Sequence, residues 1–278
     1  MKYKLVCIDI DGTLLDSNKK LPLENKLAIN HAYKNNVKIA IASGRSPMGI
    51  KDLIDELGIK AYEICLNGAC VRSESIVIKK EIMAKEQVNK ICDIVLKYNV
   101  CAFFSTENLN ITNKEIGINM QNSVVKQKNY IISSNDTIKS ELMKYEKEIL
   151  KVSIYEPDFK IYEEVRKEIE KNYNLSAVNS DTNYLDINVK GINKSSGVKA
   201  LAKYLDIQLS DVICIGDNEN DIEMIKEAGV GVAMANSCDE LLEVCDYVTT
   251  SNDDYGVAKV INKYIIKSEL GMEWKGEN

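Results

Sequence analysis

Two aspartates one residue apart, Asp9 and Asp11, follow the apolar run Leu5-Val6-Cys7-Ile8 and precede Gly12-Thr13. An apolar run bounded by glycine reads as a buried strand ending at a sheet edge. A strand's side-chain period of two puts both carboxylates on one side. Burying them together unpaired costs several kcal/mol, so a metal, a lysine or a proton must answer for the charge. Two such carboxylates can divide labour, one ionised as nucleophile or metal ligand and one protonated as general acid. The pattern Asp-x-Asp-Gly-Thr arises by accident at roughly one start in 10⁵. Gly12 and Thr13 then turn the backbone so that amide N–H groups can face an anion.

Three further stretches offer what the pair needs. In Ser43-Gly44-Arg45 the Ser43 hydroxyl and local amides such as that of Gly44 can hold a phosphoryl oxygen, while Arg45 approaches a substrate anion. Ser43 or Ser46 can equally cap the helix that Pro47 opens. Lys194 stands at the start of a helical pattern, electrostatically a poor place for a cation, which favours a functional reason for it. Gly216-Asp217-Asn218-Glu219-Asn220-Asp221 repeats the opening theme, and Asp217 can bring a further oxygen ligand to a hard cation. Mg²⁺ suits such a site, taking few carboxylates, keeping waters and binding substrate phosphate. Zinc or copper would want histidine or thiolate, which the acidic stretches beyond the strand ends do not supply.

These residues sit on an alternation of strands and helices. A helix from Pro22 to about Asn36 carries Leu23, Leu27, Ala28 and Ala32 on one face. Strand 37–42, a helix from Pro47 to Leu57 with Gly58 as C-cap, and strand 61–66 follow. Strand–helix repeats with short links give a parallel α/β sheet, which binds ligands beyond its strand ends. Val71-Arg72 and Ile76–Ile78 resemble a hairpin. Residues 83–188 break the rhythm. Helices near 85–98, 137–148 and 157–172 mix with short strands at 100–105, 110–112, 151–155, 176–178 and 184–189, and 121–135 carries no assignment. The α/β rhythm resumes with a helix from 195 to 204, strands at 212–215, 230–234 and 247–248, and helices ending near 228, at 238–244 and from 254. The expected fold is α/β: a Rossmann-like parallel-sheet core (1–82 and 189–278) with an inserted mixed α+β cap domain (83–188). Residues beyond about 267, apart from Trp274, read as a frayed tail.

Composition excludes several classes. The chain has 278 residues, 45% hydrophobic and 28% charged, with 36 basic and 42 acidic side chains. The net charge of −6 and the lack of a basic run argue against nucleic acid or an anionic membrane as partner. No signal peptide is visible, and no stretch approaches the ~20 apolar residues of a membrane span. The 8 cysteines form no Cys-x-x-Cys pair and read as buried free thiols in a reducing, cytoplasmic compartment. The single histidine, His31, falls in the first helix as a surface or packing residue, so no histidine mechanism is expected.

Taken in order, Asp-Ile-Asp-Gly-Thr, Ser-Gly-Arg, the isolated Lys194 and Gly-Asp-x-x-Asn-Asp resemble the motifs of the haloacid dehalogenase (HAD) superfamily. The phrase Gly229–Asn236 and the turn Asn67-Gly68-Ala69 resemble its Cof-type phosphatases, which carry a large type-C2 cap. Ser43 stands where many relatives have threonine, with the hydroxyl kept. The resemblance implies a Mg²⁺-dependent phosphomonoester hydrolase acting on a small phosphorylated metabolite such as a sugar phosphate or phosphorylated cofactor. It implies Asp9 as nucleophile forming an aspartyl-phosphate and Asp11 as acid and then base. Mg²⁺ would lie on the Asp9 carboxylate, the Asp11 carbonyl and Asp217, with Asp221 supporting its waters. Ser43, Lys194 and Asn220 would hold phosphoryl oxygens. Phosphomutases and disaccharide-phosphate phosphatases share the fold. A receiver-like phospho-aspartate switch uses similar groups but lacks the +2 acid, and a catalytically silent binding protein would not need the full set.

Overall fold

The computed structural model describes residues 2–74, 76–115, 129–171, 174–181 and 183–266. Trp274 and the tail, and residues 121–128 of the unassigned stretch, lie outside the described residues. Strand β1 (Leu5–Ile8) is buried on both faces. Val6 and Ile8 pack into one apolar cluster and Leu5 and Cys7 into another, as a parallel strand covered by helices on both sides requires. Around it lie β2 (Lys38–Ala42), β3 (Tyr62–Cys65), β4 (Cys70–Arg72), β5 (Val77–Lys80), β12 (Val212–Gly216), β13 (Val230–Ala233) and β14 (Tyr247–Val248). The eight-stranded order is β14-β13-β12-β1-β2-β3-β4-β5. All pairings are parallel except β3–β4 and β4–β5, the expected hairpin region. The chain leaves β1 for β2 on one side and returns through β12 on the other, so the loops after β1 and β12 meet at a switch point.

Helix α1 spans Leu23–Lys34 and α2 Pro47–Leu57. The expected buried face of α1 is corrected: Leu23 and Leu27 are 63% and 59% exposed, while Asn25, Ala28, Ile29 and Ala32 face inward. The cause is Asn25, whose side chain donates to Leu14 O and accepts from Ala258 N, both at 3.0 Å. Satisfying two buried backbone groups sets the helix rotation against its own leucines. Other helices shorten at their ends, as fraying and capping residues allow. The last one, α9 (Gly256–Ile261), begins after Tyr255, whose φ of 59° stops helix continuation from Asp254.

The insert comprises α3 (Lys85–Tyr98), β6 (Cys101–Ser105), β7 (Asn110–Thr112), β8 (Tyr130–Ile132), α4 (Ile138–Met143), β9 (Lys151–Tyr155), α5 (Phe159–Glu170), β10 (Leu175–Asp181) and β11 (Tyr184–Val189). Its strands form a separate six-stranded sheet, β10-β11-β9-β6-β7-β8. Ala102, Phe104, Val152, Ile154, Leu185 and Ile187 pack on α3 and α5, giving the cap its own core. The intervening positions are largely polar and face the first sheet. Asn188 donates to Leu66 O at 3.1 Å, and Arg166 of α5 reaches Glu219 at 3.0 Å. Of the eight cysteines, all free, six are buried, and His31 lies on the exposed side of α1. Among the described residues no helix is long and apolar enough to cross a membrane.

Candidate active site

Strand β1 ends at Ile8, so the aspartate pair, expected on the strand, lies in the loop beyond it. There the chain turns through Gly12 at φ 80°, a left-handed conformation open to glycine. A Cβ at Gly12 would stand 2.3 Å from Asp217 Oδ2, so glycine also lets the loops after β1 and β12 touch. Thr13 Oγ1 donates to Asp217 Oδ1 at 2.6 Å and fixes that carboxylate from the β1 side. Gly12→Ala should cost about 1–2 kcal/mol for the backbone alone and displace Asp217. The check is a lowered melting temperature together with a weakened response to added divalent cation.

Lys194 opens α6 (Lys194–Tyr204), behind the N-cap Asn193, and is 1% exposed. Its Nζ donates to Asp9 Oδ1 and Asp221 Oδ1, both at 2.6 Å, and to Asn220 Oδ1 at 3.3 Å. The poor electrostatics of a lysine at a helix start are thus outweighed by two buried carboxylates. Asp221 is fully buried, and its other oxygen accepts from the amides of Asp217 and Asn218 at 3.1 Å. Asn218 caps the turn, accepting from Glu219 N, so Asp217 is left for other work.

Asp9, Asp217 and Asp221 place carboxylate oxygens within 4.8 Å of one another. Three carboxylates against one ammonium leave excess negative charge, and titration reflects it. Burial pushes Asp9 well up; Lys194 pulls it down, and Asp221 and Asp217 push it up again. Burial, then Asp221, raise Asp217 to about 7 against the pull of Thr13 and Lys194. A hard cation at this all-oxygen cluster would relieve both, so the residues present fit a bound metal ion.

Asp11 lines the same cavity as Asp9 but is not part of that cluster. Arg45 grips it with two bonds, Nε at 2.8 Å and Nη2 at 2.6 Å, and Lys19 adds a third at 3.0 Å. Burial alone would raise its pKa, but Arg45 and Lys19 outweigh it and hold the carboxyl below its ordinary value. The cations around Asp11 thus favour its ionised form in this state, where a protonated acid was expected. Arg45, expected to reach for a substrate anion, spends its guanidinium on Asp11 instead. Between the two candidate caps, Ser46 caps α2, accepting from Gly49 N at 3.3 Å. Ser43, 2% exposed, is left to line the cavity with Gly44, Arg45 and Asn220.

Sequence reasoning missed the roof of this cavity. Lys151, Ser153, Tyr184 and Asp186 from β9 and β11 line it opposite Ser43 and Gly44. The available signal was alternation: Lys-Val-Ser-Ile-Tyr and Tyr-Leu-Asp-Ile-Asn-Val each carry polar residues at every second position. Lys19 was missed for want of any local signature, while Thr13 and Asn67 stood in recognised motifs without the side-chain roles seen here, Asn67 donating to Asp186 at 2.8 Å.

Residues 6–261 match the family profile of haloacid dehalogenase-like hydrolases. The chain is 30% identical over 264 residues to the 5-amino-6-(5-phospho-D-ribitylamino)uracil phosphatase YcsE of Bacillus subtilis, covering 95% of this chain and 96% of that one. It is 31% identical over 274 residues to the putative phosphatase YxeH of the same organism, covering 95% and 99%. A haloacid dehalogenase-like hydrolase structure from B. subtilis superposes with a TM-score of 0.85 at 26% identity, covering 94% of this chain and all of that one. Another, from Bacteroides thetaiotaomicron, gives 0.80 at 26%, covering 94% and 98%. With four motifs in order, a core sheet carrying an inserted cap and a profile match along nearly its whole length, the chain belongs to the haloacid dehalogenase-like hydrolases, as a Cof-type phosphatase.

Proposed function

We propose that this protein is a Mg²⁺-dependent phosphatase of small phosphorylated metabolites that works through an aspartyl-phosphate on Asp9. The observation that carries the reading is the buried array Asp9–Lys194–Asp221 beyond β1, opening onto a cavity that Ser43, Gly44 and Asn220 line. The relative that acts on a phosphorylated ribitylaminouracil supports a metabolite-sized substrate. Mg²⁺ would be held by the carboxylates of Asp9 and Asp217 and the carbonyl of Asp11, with Asp221 steadying its waters, and would neutralise phosphoryl charge when bound.

The chain's own groups do the rest. Lys194 favours the anionic form of Asp9 and orients its oxygen, so that Asp9 can attack phosphorus in line. Ser43, Asn220 and the amides at Gly12 and Gly44 hold the equatorial oxygens. Asp11 is too acidic for a general acid while Arg45 and Lys19 grip it. An incoming phosphate dianion competes for both cations, and its own charge raises Asp11 toward protonation. Asp11 can then protonate the leaving alcohol and afterwards draw a proton from the hydrolytic water. Arg45 thereby changes partner from Asp11 to substrate. Six buried thiols fit a reducing compartment, and we place the reaction in the cytoplasm.

The test is a phosphate-ester panel with Mg²⁺ or chelator, reading free phosphate. Free phosphate released only with Mg²⁺ supports the reading. An isomerised sugar phosphate would make the protein a mutase, and a long-lived phosphoprotein without turnover a switch. Melting curves test the metal separately. Asp217 titrates at about 7 in the folded protein against 3.8 ordinarily. Between those values the folded state holds a proton that the unfolded chain has lost, so metal-free stability falls as pH rises from 4 to 7. Mg²⁺ should therefore raise the melting temperature more at pH 8 than at pH 5. An equal response at both would exclude Asp217 as a ligand.

A further inference from the structure

The turn Asn67-Gly68-Ala69 after β3 has no part in the proposed chemistry, yet its backbone is strained. Leu66, Asn67 and Gly68 stand in succession at φ of 52°, 54° and 86°. A left-handed conformation is costly for a residue with a side chain, least so for asparagine, and persists only where its surroundings hold it. Here contacts from three directions do so. Leu66 N donates to Arg45 O and Asn67 N to Ser43 O, both at 3.0 Å, pinning the turn to the Ser43-Gly44-Arg45 loop. Leu66 O accepts from Asn188 of the cap at 3.1 Å. Gly68 lies against the N-cap of α6, where a Cβ would stand 2.2 Å from Asn193 O, next to Lys194.

What this backbone delivers is one buried side chain, and its amide joins core to cap in a single direction. Lys194 Nζ donates to Asn220 Oδ1 at 3.3 Å, and Asn220 Nδ2 donates to Asn67 Oδ1 at 3.3 Å. Asn67 Nδ2 then donates to Asp186 Oδ2 at 2.8 Å. The run begins on a buried ammonium and ends on a buried carboxylate. Neither amide can be reversed without setting donor against donor or acceptor against acceptor. In such a chain each bond polarises the next. Asn67 also stands against Gly44, where a Cβ would lie 3.2 Å from its Oδ1. Gly44 and Asn220 line the cavity that holds Asp9, and Asn67 backs them both.

Asp186 belongs to β11 of the cap, and Asn220 to the loop after β12 in the core. We propose that Asn67 is a positioning residue for phosphoryl transfer: it ties the amide of Asn220 to the cap carboxylate of Asp186, so that Asn220 is aimed at the phosphoryl oxygens only while the cap is seated. This rests on the phosphatase reading above and adds a residue to it. An amide nitrogen carries two hydrogens. Asn220 spends one on Asn67, which fixes the plane in which the other is offered to the substrate. Without Asn67 that amide keeps its bond from Lys194 and can turn about it.

The test measures kcat and KM with Mg²⁺ on two monoesters, para-nitrophenyl phosphate and ribose 5-phosphate. Asn67→Asp keeps the shape and tolerates the left-handed backbone, but sets a carboxylate against Asp186. It should lower kcat about 10- to 100-fold and change KM less than about threefold, as an aligned donor is lost while Ser43 and Lys194 still bind the ground state. Adding Asp186→Asn restores a donor–acceptor pair of the same net charge, turned end for end, and should bring kcat back to within about threefold of wild type. In an Asn220→Ala background Asn67→Asp should change kcat less than about twofold, because its route to the substrate is gone. A kcat left at the wild-type value, a loss that Asp186→Asn does not recover, or one that multiplies in full with Asn220→Ala overturns the assignment. If Asn67→Asp does not fold, Asn67→Ala decides through the same pairing with Asn220→Ala. If wild type hydrolyses neither ester, the phosphatase reading falls too; if it hydrolyses them and the two positions act independently, only the assignment falls.

Discussion

Asp9→Asn should remove turnover by about 10⁴-fold or more while leaving the metal-free protein as stable as before, or more so. The amide keeps the shape of the side chain but cannot attack phosphorus. The stability half of the expectation follows from the charges around it. Burial pushes Asp9 up in pKa, with Asp221 and Asp217 pressing on it as like charges and Lys194 opposing them. A neutral amide relieves that repulsion, and Lys194 keeps Asp221 at 2.6 Å. Without metal, then, the wild-type site is held at a cost to the fold, and the variant is spared it. Phosphate release and melting curves in chelator give the two halves. A variant that retains a tenth of the activity, or melts well below wild type, would refute this account of Asp9. The melting response to Mg²⁺ should also shrink, since a ligand has gone.

Lys194→Met should do the reverse for stability. Lys194 is the cation within hydrogen-bonding reach of both Asp9 and Asp221, and all three are buried. Removing one partner of a buried ion pair costs about 3–5 kcal/mol, because the other charges stay behind. For a chain of this size that is a fall on the order of 10 °C in melting temperature. Activity should be lost with it, as the phosphoryl oxygens lose a cation and Asp9 its orientation. The pH dependence has a defined sign. Burial lowers the Lys194 pKa, but Asp221 and Asp9 outweigh it and raise it above its ordinary value. Its stabilisation is therefore fully present at neutral pH and lost only as pH rises past the ordinary lysine range. In the methionine variant the orphaned carboxylates take up protons in acid, so the melting gap to wild type should narrow from pH 8 to pH 5. A constant gap would mean that packing, not charge, is what Lys194 supplies.

The sequence by itself determined the chemistry of the core and the frame around it. Apolar runs ending in Asp9, Ser43 and Asp217 announce parallel strands whose outgoing loops carry function, because a strand buried on both faces has room for polar groups only beyond its end. Short links and strand–helix alternation gave the sheet, and the change of rhythm after β5 gave the cap. Helix rotation was not legible in α1: amphipathic spacing favoured its leucines, and a distant pair of backbone groups claimed Asn25 instead. Tertiary structure alone decided which cations surround Asp11 and favour its ionised form. Arg45 lies 34 residues from Asp11 in sequence, and a pKa depends on what lies within a few ångströms rather than a few residues. It alone decided that Lys194 is buried between two carboxylates, a pairing that spans 185 residues for Asp9. The cap's contribution was hidden for the same reason. Lys151 and Asp186 are ordinary surface residues in sequence, and come to line the cavity only because two neighbouring strands turn their polar face onto the loops of another sheet.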